Sequence, residues 1–161
     1  MLSKIYFFLC VLFLALNFLT GCKKALQPPA DMPKLEPCRI TITLAGQPLP
    51  EAIVALKPIE PTQYHSGGST DVNGSFDVFT NGLYKGVPAG KYNVTVEKEI
   101  PTPTPEGISQ EELMDPVKSA KYRQPPTIVV HKKYHLAETT PLEIEVLPNV
   151  PLNVTLQVES P

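Results

Sequence analysis

The sequence predicts an all-β fold, an antiparallel sandwich of short strands. Two observations carry this expectation. Apolar residues recur at every second position in runs spread from Cys38 to Val158, and turn-forming residues separate the runs. No long stretch has the three-to-four spacing of an amphipathic helix.

The runs can be justified in order. Cys38, Ile40, Ile42 and Leu44 fall on one face of the first, with Arg39, Thr41 and Thr43 on the other. Ala52, Val54 and Leu56 alternate likewise, then Phe76 and Val78, then Tyr92, Val94 and Val96. Leu142, Ile144 and Val146 alternate with Glu143 and Glu145. The last run sets Leu152, Val154, Leu156 and Val158 against Asn153, Thr155 and Gln157. Between them stand Ala45-Gly46-Gln47-Pro48, Asp71-Val72-Asn73-Gly74, Asn81-Gly82 and Pro88-Ala89-Gly90. Asp71 and Asn73 offer side-chain acceptors to a turn, and Gly74 takes positive φ, so that Phe76 returns to the core. Gly90 permits a tight approach for Tyr92, whose hydroxyl is expected to bond backbone as in a tyrosine corner.

One segment breaks the pattern. Glu99 to Pro126 holds six prolines and the acidic residues Glu106, Glu111 and Glu112. Its central part, 101–126, reads as a disordered insertion loop. Ser109 and Glu112 have capping-box spacing, which predicts one helical turn stopped by Pro116.

The N-terminus has a different layout. Lys4 precedes an almost wholly apolar run, Ile5 to Phe18, followed by Leu19-Thr20-Gly21-Cys22. A membrane-spanning helix needs about 20 apolar residues, and this run is shorter, as in a cleavable signal. The arrangement resembles the signal peptide and lipobox of bacterial lipoproteins. The resemblance implies a signal peptide at 1–21, cleavage before Cys22, and fatty acyl groups on Cys22 that hold the chain to a membrane. More than one acyl chain is needed for stable anchoring. Lys23 and Lys24, where a retention aspartate would otherwise stand, imply the outer membrane of a bacterial cell envelope. Residues 22–37 then form a tether with Pro28, Pro29, Pro33 and Pro37. At about 3.1 Å per residue it would reach roughly 40 Å. The sandwich is expected over 38–158.

Composition narrows the function. Fourteen basic residues against sixteen acidic ones leave no field for nucleic acid. Of the three cysteines, Cys38 has no expected partner and reads as a buried free thiol. Neither a His-Glu-x-x-His zinc motif nor a Gly-x-Ser-x-Gly elbow is present. His131 and His135 would suit a metal only on a helix, and they sit in a proline-bounded loop, so both read as solvated. The Asp71–Asn73 loop lacks the later acidic ligands of a calcium site. No catalytic, cofactor-binding or metal-binding residue is assigned, and the chain is not expected to be an enzyme.

Three segments carry a further resemblance. Leu44-Ala45-Gly46-Gln47-Pro48-Leu49-Pro50-Glu51-Ala52, Thr70-Asp71-Val72-Asn73-Gly74-Ser75-Phe76 and Gly86-Val87-Pro88-Ala89-Gly90-Lys91-Tyr92-Asn93-Val94-Thr95-Val96 are together similar to the carboxypeptidase regulatory-like domain. The tail from Tyr134 to Leu142 resembles that of small planctomycete-type lipoproteins carrying this domain. The resemblance implies a seven-strand Greek-key sandwich of transthyretin-like topology, an accessory and not a peptidase. The hydrolase of that superfamily ends in Tyr-Arg-Gly-Ser, which Val158-Glu159-Ser160-Pro161 does not match. Related pilin domains form Lys–Asn isopeptide bonds, for which Lys57 and Asn153 are the pair to test.

The expectation is a lipid-anchored envelope protein that presents a non-catalytic sandwich for protein binding or structural support. The alternatives are a carbohydrate-binding module, with Tyr64, Tyr84, Tyr122 and Tyr134 as the sugar-contacting candidates in a chain without tryptophan, and an accessory domain of an envelope enzyme.

Overall fold

The computed structural model describes residues 27–103, 106–120, 122 and 124–161. The expected signal peptide at 1–21, the lipidation residue Cys22 and the first residues of the tether lie outside them. The described strands are β1 (Leu35–Glu36), β2 (Cys38–Leu44), β3 (Gln47–Pro48), β4 (Ile53–Pro58), β5 (Ser66–Ser69), β6 (Ser75–Asp77) and β7 (Phe79–Thr80). They continue with β8 (Tyr84–Lys85), β9 (Val87–Pro88), β10 (Gly90–Glu97), β11 (Glu99–Ile100), β12 (Thr127–Ile128), β13 (Glu143–Val146) and β14 (Leu152–Val158).

Alternation in β2 and β10 decides which faces meet. Cys38, Ile40 and Ile42 are buried on one side of β2, as are Tyr92, Val94 and Val96 on β10. The first sheet sets β2 between β14 on one side and β6 and β3 on the other. The second runs in the order β13, β10, β4, β5, β7, β8. Their apolar faces enclose one core that joins Ile40, Ile42 and Val158 to Val54, Leu56, Val94, Val96 and Val146. Burying each such side chain contributes about 1.5–3 kcal/mol. The protein is therefore all-β, with two sheets around a common core and little helix.

Polar groups inside that core are matched. Thr70 Oγ1 donates to the Leu49 carbonyl at 2.6 Å and accepts from the Ala52 amide at 2.8 Å. Thr80, fully buried, donates to the Gly86 carbonyl at 2.7 Å. Among the described residues no buried side-chain nitrogen or oxygen lacks a hydrogen bond.

Three expectations are corrected. The pairing is not antiparallel throughout, because β14 runs parallel to β2, from Leu152 beside Cys38 to Val158 beside Leu44. The segment 147–151 carries the chain over from the other sheet and delivers Leu152 to the start of β2, where its amide bonds the Pro37 carbonyl at 2.9 Å. Asn149 adopts φ 61° within that crossing, a left-handed conformation that Asn tolerates better than most residues.

The alternating run at Phe76 and Val78 is not one strand either. Phe76 belongs to β6 in the first sheet, and after Val78 the chain passes to β7 in the second. Val78 sits fully buried at the switch, its amide donating to the Cys38 carbonyl at 2.9 Å.

The described part of 101–126, expected to be disordered, carries helix. It sits on the ribbon β11–β12 and holds α1 (Gln110–Met114) and α2 (Pro116–Ala120). Ser109 caps α1 through the expected capping box with Glu112. Pro116 does end α1, but it also opens α2, since a proline at the first helical position gives up no hydrogen bond. The Asp115 carboxylate accepts the Val117 and Lys118 amides at 2.9 and 3.2 Å and so caps α2.

Candidate functional site

The glycine-ended turn after Thr70 forms as the sequence dictates. Asp71 Oδ1 accepts the Asn73 and Ser75 amides at 2.8 and 2.9 Å, and Gly74 takes φ 70°. Close to it, Arg39 meets Asp77 at 3.2 Å and Asp71 at 3.9 Å, while Lys85 meets Asp77 at 2.6 Å. The hydrogen bond from Lys85, reinforced by Arg39, holds the Asp77 carboxyl below its ordinary range. Each charge in this cluster is matched by a neighbour, and Asp71 is engaged by its own turn. The cluster fastens β2, β6 and β8 together.

The two histidines are structural. His131 Nδ1 accepts the Lys133 amide at 3.1 Å and caps a short 3-10 turn, Lys132–Tyr134. His135 Nε2 lies 3.1 Å from the Val130 carbonyl. Each ring has a backbone partner, and His131 is exposed as the sequence predicted, while His135 is half-buried. Among the described residues no group of three or more His, Cys, Asp or Glu is placed to hold a metal.

Cys38 and Tyr92 are inside the core, both 4% exposed. Burial, with a smaller contribution from the Asp77 charge, pushes the Cys38 thiol up to about 11. It therefore stays protonated at neutral pH and is a poor nucleophile. The Tyr92 hydroxyl donates to the Pro88 carbonyl at 2.8 Å, closing the expected tyrosine corner. Burial first, and then the neighbouring Cys38, push this phenol up to about 12.

The sugar-contacting candidates do not gather. Tyr134 is only 2% exposed and belongs to the core, since the 3-10 turn folds it inward against β10. Tyr64 is half-buried and donates to the Asp31 carbonyl at 3.1 Å, beside the tether. Tyr84 lies on β8, whereas Tyr122 lies in the insertion. Lys57 and Asn153 are also separated: each is exposed on the outward face of a different sheet, Lys57 on β4 and Asn153 on β14. Face-to-face packing points those outward faces apart, so no isopeptide bond can link them.

What the fold does present is surface. A groove of about 430 Å³ runs on the outer face of β4 and β10, floored by Ile53, Ala55 and Thr95 and roofed by Leu136 and Ala137. Lys57, Glu97 and Glu138 rim it. No periodic signal marks residues 135–138 as its roof, and the sequence did not reveal the groove. A second hollow, of about 460 Å³, lies in the insertion between Pro101, Leu113, Tyr122 and Pro126. Beyond it Met114 and Val117 are 84% and 83% exposed. No helix among the described residues is long and apolar enough to cross a membrane.

No protein-family model, curated protein or solved structure matches the chain.

Proposed function

We propose that the chain is a lipid-anchored protein of the bacterial cell envelope, held through Cys22, whose β domain binds a protein partner and performs no catalysis. The observation that carries the binding role is the arm formed by β11, β12, α1 and α2. Ile100, Leu113, Met114 and Val117 on it are exposed, and among its described residues only Ser119 is buried. An arm that contributes nothing apolar to the core, yet keeps large apolar side chains in water, fits a surface that becomes covered on binding. Its rim is acidic at Glu106, Glu111 and Glu112, so the partner surface should be apolar with basic edges.

The finer fold reading is transthyretin-like. In its favour, the longer strands number seven if the two-residue pieces are set aside: β6, β2 and β14 in one sheet, β5, β4, β10 and β13 in the other. The same arrangement supports a relation to the carboxypeptidase regulatory-like domain.

The two parts of the proposal are tested separately. Cys22→Ala should release the protein into the soluble fraction, and persistent membrane retention would remove the lipid anchor. Photocrosslinkers at the exposed positions Gln110 and Lys118 in intact cells should capture one partner, and capture should be lost when Met114→Asp and Val117→Asp are added together. Capture that does not depend on the apolar side chains would refute the arm as the binding surface.

A further inference from the structure

Sheet edges are templates for adventitious pairing, and most proteins guard them with charge, proline or brevity. Three of the four edges of the two main sheets are guarded here. β13 has four residues and carries Glu143 and Glu145; β8 has two residues, one of them Lys85. On the third edge β6 has three residues including Asp77, and β3 has two including Pro48.

The fourth edge is different. β14 is seven residues long, Leu-Asn-Val-Thr-Leu-Gln-Val, with no charge, no proline and no glycine. No second strand pairs with it among the described residues. The Leu152 amide bonds back to Pro37, so in this parallel ladder the even-numbered residues turn their backbone groups toward β2. Asn153, Thr155 and Gln157 therefore aim their N–H and C=O groups out of the sheet. On the core side Leu152, Val154 and Leu156 pack against the core yet stay only half-buried, because among the described residues no further strand lies beside them.

We propose that β14 pairs antiparallel with β14 of a second copy of this chain, centred on Thr155, so that two first sheets become one continuous sheet. The register is chosen by the strand itself. A two-fold axis at Thr155 sets Thr155 against Thr155, Asn153 against Gln157, Val154 against Leu156 and Leu152 against Val158. The outward-facing residues meet in the hydrogen-bonded positions, giving about six main-chain bonds. Apolar side chains meet apolar ones on the core face, amides meet amides outside, and no like charges are opposed. A partner strand of opposite charge has nothing to recognise here, whereas a second copy matches at every position. The strip is about 24 Å long and one strand wide, less than the roughly 1,200 Å² of a stable interface. Pairing is therefore concentration-dependent, and covalent capture is the suitable measurement.

In the proposed register the two Thr155 Cα atoms lie about 5.5 Å apart, inside the span a disulfide bridges. Two Asn153 residues would be offset by four positions, roughly 13 Å along the strand. The full-length chain carrying Thr155→Cys should give at least ten-fold more disulfide-linked dimer on mild oxidation than the unsubstituted chain or Asn153→Cys. The double variant Asn153→Cys with Gln157→Cys should restore it. Thr155→Lys, which places two like charges on the axis, should lower the dimer share at least five-fold in sedimentation while leaving the melting temperature unchanged. Equal crosslinking at 153 and 155, a different protein disulfide-linked to Thr155→Cys, or a dimer share untouched by Thr155→Lys would each overturn the proposal.

Discussion

Replacing Tyr92 by Phe isolates the tyrosine corner. At pH 7 the variant loses one buried hydrogen bond, from the phenol to the Pro88 carbonyl at 2.8 Å, and keeps the ring that packs beside Val94. Such a loss costs about 1–2 kcal/mol. Alkali adds a second reading of the same contact. The phenol is raised from 10.0 to about 12 in the folded chain, so the unfolded chain sheds its proton first, and stability falls as pH rises from 10 toward 12. By pH 11 the parent protein has given up about 1.4 kcal/mol through this group alone, and the Phe variant none of it. Cys38, raised from 9.0 to about 11, destabilises both proteins alike over pH 9 to 11 and cancels in the comparison. Urea unfolding at pH 7, 9 and 11 should therefore show a gap that is open at pH 7, unchanged at pH 9 and nearly closed at pH 11. A gap under about 0.3 kcal/mol at pH 7 would refute the hydrogen bond's contribution. A gap that stays constant to pH 11 would refute the argument that burial keeps the phenol protonated.

Gly67→Ala should lower stability by about 2–4 kcal/mol in urea unfolding, because its new Cβ meets the Val54 carbonyl oxygen and lies 3.1 Å from the Ala55 Cα, backbone of the adjoining strand that cannot step aside; a loss under about 1 kcal/mol would show that β4 and β5 are looser than their register implies. Thr70→Val strands the Leu49 carbonyl and the Ala52 amide inside the core and should cost about 2–3 kcal/mol, whereas Thr70→Ser, which retains both bonds, should keep most of that stability. Lys85→Met should let the Asp77 carboxyl rise toward its ordinary value, since the hydrogen bond from Lys85 is the main influence lowering it; NMR titration of the side chain measures this directly, and an unmoved midpoint would assign the effect to Arg39 instead. Because that carboxyl is depressed in the folded state, its contribution is present above pH 3.8 and lost as pH falls through the folded value. Replacing 101–126 by a short turn should leave the domain folded, its melting temperature changed by only a few degrees, because no described residue of that segment is an apolar part of the core.

The amino-acid sequence by itself determined the faces of the strands. Ile40, Ile42, Val54, Leu56, Val94, Val96 and Val146 are inside where alternation put them, and the Asp71 turn, the tyrosine corner and the Ser109 cap formed from local chemistry. These features lie within a few residues of one another, so neighbouring side chains and φ preferences suffice to specify them. Strand direction is another matter. Period-two alternation records which side of a strand is buried and is identical for parallel and antiparallel neighbours, so only the crossing at 147–151 made β14 parallel to β2. Tyr134 was equally illegible: outside a strand no repeat marks a buried face, and it took a 3-10 turn folded against β10 to bring the ring into the core. The same long-range packing set Lys57 and Asn153 on opposed outward faces, roofed the groove with Leu136, and, among the described residues, left one edge of β14 unpaired. Contacts between residues far apart in the chain decided these outcomes, and local pattern carries no record of such contacts.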